Sequence, residues 1–272
     1  MNNLVKRTIT GIVFVLLIVG SIIADRHLFS LLFVFITAMG LWEFYTLVEK
    51  AGISPNKFAG LMAGIFLFAS NAMIALNIAP REIQMGNFVL IFLIFLFELY
   101  RKLPNPFTNI AFTLFGILYV AVPFSLLNFF PNPVFLPGVY NHKLLLGFFF
   151  LIWINETGAF LVGTAIGRRR LFERVSPKKT WEGFFGGGVL SIITAVILAR
   201  FYTQIMTVDW VIIAVIVVIC STYGDLFESM FKRSINAKDS GTILPGHGGI
   251  LDRFDGVIMA APFVFVYLTL FY

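Results

Sequence analysis

Apolar runs long enough to cross a bilayer recur from one end of this chain to the other, and no soluble core could absorb them all. Nine can be placed, at residues 8–25, 28–48, 58–78, 85–100, 107–129, 143–166, 183–201, 205–224 and 249–271. A hydrocarbon layer about 30 Å thick takes roughly 20 apolar residues in a helix, and the runs reach or approach that length. They are continuous, whereas the strands of a membrane barrel alternate over about 10 residues. Only 12% of the residues are charged, about half the ~25% of soluble domains. The chain is therefore predicted to be all-α, a polytopic helical membrane protein with about nine transmembrane helices. The short fourth run is expected to tilt little or to pack within the bundle.

Charge in the connections sets the expected orientation. With the N-terminus cytoplasmic, 16 of the 20 Lys and Arg fall on the inner side, and only Arg26, Arg81, Lys143 and Arg200 lie outside. That asymmetry follows the positive-inside rule. It also accounts for the net charge of +6 without nucleic acid as a partner. The single cysteine, Cys220, has no intrachain disulfide partner and reads as a small buried hydrophobe. Lys6-Arg7 before an apolar stretch has the outline of a secretory leader. Ile22 before Ala24 spoils its small-residue cleavage pattern, so this is read as a retained first span. Residues 1–150 are greasy helices with short connections, and 151–272 hold two longer polar loops, 167–182 and 225–248, on the same side. The two cation clusters are expected to face each other there. No internal repeat is visible.

Within the second segment, Ser229–Asp255 packs four cations, three carboxylates, a histidine and four glycines into 27 residues. Charge at a membrane boundary is expensive and points to a functional site. Gly224-Asp225-Leu226-Phe227-Glu228 sets Asp225 and Glu228 on one helical face, and Asp252-Arg253-Phe254-Asp255 does the same for its carboxylates. Hard cations such as Mg²⁺ bind through one or two carboxylates plus substrate phosphates, which suits Asp225 and Asp252. Asp225, read as the end of its span, is at the wrong helix end for dipole stabilisation. Glu228 has a rival reading as the partner of Lys232, four residues on. Gly246-His247-Gly248-Gly249 precedes a helix start, where glycines admit close approach and free N–H groups bind anions.

Other polar groups extend the pattern. Ser176-Pro177-Lys178-Lys179-Thr180-Trp181-Glu182-Gly183 reads partly as a helix start, with Pro early and Glu in the first turn, and leaves Lys178 and Lys179 free to meet phosphate. Arg168-Arg169-Arg170 suits either anionic lipid or direct substrate contact. Gly186-Gly187-Gly188 permits close helix packing. Glu156 lies inside the sixth run with no cation near in sequence, so it needs a partner from elsewhere. Glu43 and Glu98 are left unassigned.

Taken together, these residues resemble the phosphatidate cytidylyltransferase family of integral-membrane CDP-diacylglycerol synthases. Ser229 to Asp255 matches the family signature at every specified position, and the close resemblance covers roughly residues 153–256. The first 150 residues agree mainly as hydrophobic spans, apart from Lys6-Arg7 and Glu43-Phe44-Tyr45. The chain departs from the pattern where the family usually has Asp and Tyr, at Glu156 and Phe160. The resemblance implies an enzyme that joins CTP to phosphatidic acid, giving CDP-diacylglycerol and pyrophosphate, in the membrane (the inner or plasma membrane if the chain is bacterial) with its site facing the cytoplasm. It implies an all-helical fold, a Mg²⁺-centred site with room for a second cation, and a homodimer.

On this reading Asp225, Asp252 and Asp255 hold the metal, with Asp239 or Asp255 assisting. Lys178, Lys179, Lys232, Arg233, Lys238 and Arg253 hold phosphates, Ser229 contacts substrate, and His247, Gly248 and Gly249 hold the pyrophosphate or the α-phosphoryl group. A CDP-archaeol synthase or polyprenol kinase would keep this setting and change the acceptor or the reaction. A transporter would place its charges near the bilayer midplane between broken helices; here they crowd at one face.

Overall fold

The computed structural model describes residues 3–131, 141–235, 237, 240–241 and 248–272, with side chains from Thr8 onward. All nine apolar runs are helical. Helix α1 (Asn3–Ala24) turns sharply into α2 (Arg26–Lys50), where the Asp25 carboxylate accepts the N–H of His27 at 2.6 Å. Helix α3 (Lys57–Ala75) starts at Asn56, whose side chain caps the N–H of Ala59. A short turn, Arg81–Gln84, leads into α4 (Met85–Arg101). The fifth run is one continuous path of four pieces: α5 (Pro106–Gly116), a π-turn (Ile117–Ala121), α6 (Val122–Leu126) and a last tight turn (Leu127–Phe129). Helix α7 (His142–Ile166) is followed by strands β1 (Arg170–Phe172) and β2 (Ser176–Thr180), and then by α8 (Trp181–Phe201), α9 (Thr207–Ser234) and α10 (Leu251–Phe271). Among the described residues, eight helical runs are long and apolar enough to span a membrane, and α1 adds a shorter apolar stretch over Thr8–Ala24. The protein is a polytopic helical membrane protein.

Four expectations need correction. Helix α9 does not stop near residue 224 but continues to Ser234, so Asp225–Ser234 is helix and not loop. Asp225 therefore lies well inside α9, and the argument from its helix end loses its force. The helix start read within Ser176–Gly183 comes only at Trp181, behind the Thr180 N-cap and with Glu182 in the first turn; Ser176–Thr180 before it pairs antiparallel with β1, Arg170 opposite Thr180. The fourth run does not pack within the bundle. Only 11% of its most apolar window is buried, against 50–61% for most of the others, so α4 lies at the periphery.

The core joins the two halves of the chain. The Phe33 ring of α2 lies 5.9 Å from Phe254 of α10 and 6.0 Å from both Phe124 of α6 and Phe149 of α7. Helices α7 and α8 approach along a seam of small residues. A Cβ on Gly187 would sit 2.6 Å from the backbone oxygen of Asn155, and one on Gly183 would sit 2.7 Å from that of Ala159. Gly183 and Gly187 are four residues apart, the spacing that lets membrane helices touch backbone to backbone. On α9, a Cβ at Gly224 would collide with the carbonyl of Asp255, which brings α9 and α10 equally close. The π-turn has a local cause. Pro123 has no N–H to return to the previous turn and its ring crowds the carbonyl four residues back; the Val122 N–H bonds instead to Ile117, five residues back.

Candidate active site

Helix ends of both polarities meet at one end of the bundle: the C-termini of α2 and α7, the N-termini of α8 and α10, and the last turns of α9. On α9, Asp225, Glu228, Ser229 and Lys232 follow at intervals of 3, 4 and 7 residues from the first, so they share one face. Lys232 is the hinge of the arrangement. Its Nζ donates to Glu228 Oε2 at 2.7 Å and to Asp252 Oδ1 at 2.6 Å, tying α9 to α10. The pairing read as the rival role for Glu228 is thus present. It leaves Glu228 Oε1 buried without a hydrogen-bond partner among the described residues.

Asp252 is held on all sides. Beyond Lys232, its Oδ2 accepts from the Ser240 N–H at 3.0 Å, the Ser240 hydroxyl at 2.8 Å and the Gly249 N–H at 2.8 Å. Gly248 takes the left-handed conformation at φ +83°, which turns the chain so that the next amide meets this carboxylate. The anion site expected at the start of α10 is accordingly filled from within the protein. The Gly249 amide is spent on Asp252, the Asp252 N–H on the Ser240 hydroxyl at 3.3 Å, and the Leu251 N–H on Glu43 Oε2 at 3.0 Å. Carboxylates of the chain itself stand where substrate phosphate was expected.

Glu43 was left unassigned from sequence, and the structure gives it a place. It is buried in α2, and a Cβ on either Gly241 or Gly249 would collide with its carboxylate, so it packs against both limbs of the loop before α10. Ile250 at the α10 N-cap offers no side-chain hydrogen bond, and α2 supplies the missing acceptor. Ser240 was likewise not singled out. Glu43 carried two signals, an ionisable residue inside a span and its place in Glu43-Phe44-Tyr45, but neither named its partner; for Ser240 there was none beyond its place in the motif.

The remaining carboxylates form a second group beside the first. Lys179, carried by β2, pairs with Asp225 Oδ2 at 2.6 Å, and Ser229 donates its hydroxyl to Asp225 Oδ1 at 3.2 Å. The hairpin is anchored for this by Glu182, which accepts the backbone N–H groups of Arg168 and Arg169 at 3.1 and 3.2 Å. The two polar stretches do converge. Asp255 accepts from the N–H of Gly256 and interacts electrostatically with Asp225, Glu156 and Glu228. Glu156 finds the cations that its own surroundings in sequence lack: Lys179 and Arg253 act on it, opposing Asp225. Both side chains are ringed by protein atoms yet retain solvent contact. They line a crevice and are not sealed in the core.

Lys178, Arg233 and Arg253 are exposed, and Arg253 acts on Glu156. Lys238, Asp239 and His247 lie outside the described residues. Among the described residues, no three acidic, histidine or cysteine side chains already stand as a metal-holding group. A hard cation bound by one or two carboxylates and by substrate phosphates does not require one. Glu228 Oε1, unpartnered among the described residues, and the Asp255 carboxylate near Asp225 suit such an ion.

Comparison with known proteins agrees with this chemistry. The profile of the cytidylyltransferase family matches residues 5–271. A phosphatidate cytidylyltransferase of Staphylococcus epidermidis is 32% identical over 268 residues, covering 96% of this chain and 98% of the relative. One from Bacillus subtilis is 29% identical over 277 residues and the full length of both chains. One from Haemophilus influenzae is 43% identical over 125 residues, 44% of this chain and 43% of the relative.

Proposed function

The chain belongs to the cytidylyltransferase family, and from that premise we propose that it transfers the cytidylyl group of CTP to phosphatidic acid, giving CDP-diacylglycerol and pyrophosphate for phospholipid synthesis. The observation that carries this reading at the level of the site is the Lys179–Asp225 contact, at 2.6 Å. It joins a cationic hairpin to a carboxylate crevice at one end of an apolar bundle, where a soluble nucleotide and a membrane lipid can meet.

The chemistry asks little of the protein as an acid or base. A phosphate monoester has a second pKa of about 6, so the lipid phosphate is largely ionised at neutral pH. One of its oxygens forms a bond to the α-phosphorus of CTP as the bond to the bridging oxygen breaks, and that electron pair leaves with pyrophosphate. The work is to bring polyanions together and to hold their charge in place. Asp225 and Asp255 would hold a magnesium ion, with Glu228 beside them. When bound, that ion would neutralise charge on the transferring phosphates. Asp252 and Lys232, saturated by protein partners, fix the ends of α9 and α10 and so the positions of Asp225 and Asp255. Lys178, Arg233 and Arg253 reach toward phosphate from the rim, and Lys179 can exchange Asp225 for substrate. Lys238 and His247 keep the phosphate contacts that the motif implies.

The site faces the cytoplasm in this reading, with the N-terminus inside, and residues 151–272 form its catalytic segment. The reading includes a homodimer, which light scattering in detergent would check. The decisive assay uses purified protein with labelled CTP and phosphatidate, with and without a chelator. A liponucleotide product that requires Mg²⁺ is expected. No product with Mg²⁺ present would overturn the function, and equal product in chelator would overturn the metal.

A further inference from the structure

The fifth span departs from α-helical geometry in its middle, at the π-turn Ile117–Ala121, and that place borders the carboxylate crevice. Single π-turns within α-helices are uncommon and occur often at functional sites. Tyr119 is the central residue of this one, and its side chain is only 8% exposed. Its ring is fixed by Phe115, stacked at 5.7 Å, by Phe227 at 5.3 Å and by Phe44 at 6.1 Å. The hydroxyl is buried, has no hydrogen-bond partner among the described residues, and feels the charges of Glu228, Asp255 and Asp225. Tyr45, fully buried on the neighbouring α2, shows the usual outcome, donating to the Thr113 carbonyl at 2.8 Å.

An unpaired buried hydroxyl costs stability, and phenylalanine would fill the same space without that cost. Glu228 Oε1 is a second buried oxygen without a hydrogen-bond partner among the described residues. An unpaired donor and an unpaired acceptor near the same carboxylates suit a ligand that presents both positive charge and acceptor oxygens. A carboxylate-bound divalent cation does so, through its waters or through a coordinated phosphate. We infer that the Tyr119 hydroxyl donates a hydrogen bond to an oxygen carried by a divalent cation in the Asp225–Asp255 crevice. This brings a residue of the first, largely apolar half of the chain into contact with the ligand. The inference rests on the proposed reading of the crevice.

Tyr119→Phe separates the two roles a buried tyrosine can have, because they predict opposite signs. With the full-length protein in detergent and no ligand, Tm should rise by about 2–4 °C, as loss of an unpaired hydroxyl relieves a cost. The Tm gain produced by Mg²⁺, or by Mg²⁺ with a non-hydrolysable CTP analogue, should shrink, and turnover should fall about ten- to a hundredfold. A reduced gain with Mg²⁺ alone identifies a metal-bound water as the acceptor; a reduction seen only with nucleotide identifies a phosphate oxygen. Undiminished ligand gains with wild-type turnover would overturn the inference. So would a lower ligand-free Tm with undiminished gains, which would make the hydroxyl a structural hydrogen bond. If the wild-type protein gains nothing from either ligand, the crevice is not the binding site, and the inference falls with that reading.

Discussion

The Asp252 carboxylate is bound by the chain itself at both of its oxygens. Four donors surround its two oxygens, so Asp252→Asn cannot satisfy them all. One side of the new amide must present N–H groups either to the Lys232 ammonium or to the Ser240 and Gly249 amides. Stripping one partner from a buried ion pair costs about 3–5 kcal/mol. Asp252→Asn should therefore lose at least about a hundredfold in kcat and lower Tm as well. Asp225→Asn, in a more open position, should lose activity at nearly unchanged Tm. Thermal unfolding of both purified variants checks the contrast, and equal Tm values would return Asp252 to the metal. The types and spacing of these carboxylates were legible in the sequence, but their division of labour was not, because it depends on donors from Ser240 and Gly249. Glu43 was illegible for the same reason: its partner is a backbone N–H, which no residue identity reveals.

At the scale of elements, the apolar runs located every span, while polar composition misplaced the end of α9 and hid the hairpin. Asp225, Glu228, Ser229 and Lys232 look like a loop to a hydropathy scan because they are polar. They are helical because their shared face is turned to other protein charges. The hairpin–α9 contact lends itself to a double-mutant cycle on kcat/KM with Lys179→Ala and Asp225→Asn. Contacting residues couple by about 0.5–3 kcal/mol, and strict additivity would mean that the hairpin does not share the site. The α7–α8 seam offers a packing test. Gly187→Leu must force its Cβ against the Asn155 carbonyl, and overpacking of this kind costs about 1–3 kcal/mol. Tm should fall by several degrees, with activity falling too, since Glu156 rides on the same stretch of α7. Gly20→Leu is the control: nothing lies within 4 Å of a Cβ there, so its Tm should match wild type. Equal losses in the two variants would deny the seam its role.

For the whole molecule, the sequence conveyed a membrane bundle with its charge crowded at one end, and the structure adds which helix ends build that crowd. The proposed orientation can be read by labelling. In a Cys220→Ser background, a cysteine at exposed Lys178 should react with an impermeant maleimide only in inside-out vesicles. One at Arg200, at the other end of α8, should react only in right-side-out vesicles. The reverse pattern would invert the proposed topology.

The bond from the Leu251 amide to Glu43 spans 208 residues of sequence, and that separation is also a delay. At about 5–20 residues per second of synthesis, Glu43 waits roughly 10–40 s in a nascent bundle before the helix it caps has been made. A carboxylate inside a membrane helix is costly until something receives it. The interval is a window in which α2 depends on transient partners, on water or on the insertion machinery. It closes only when the last span arrives and completes the cap, so no shorter nascent chain possesses a finished site.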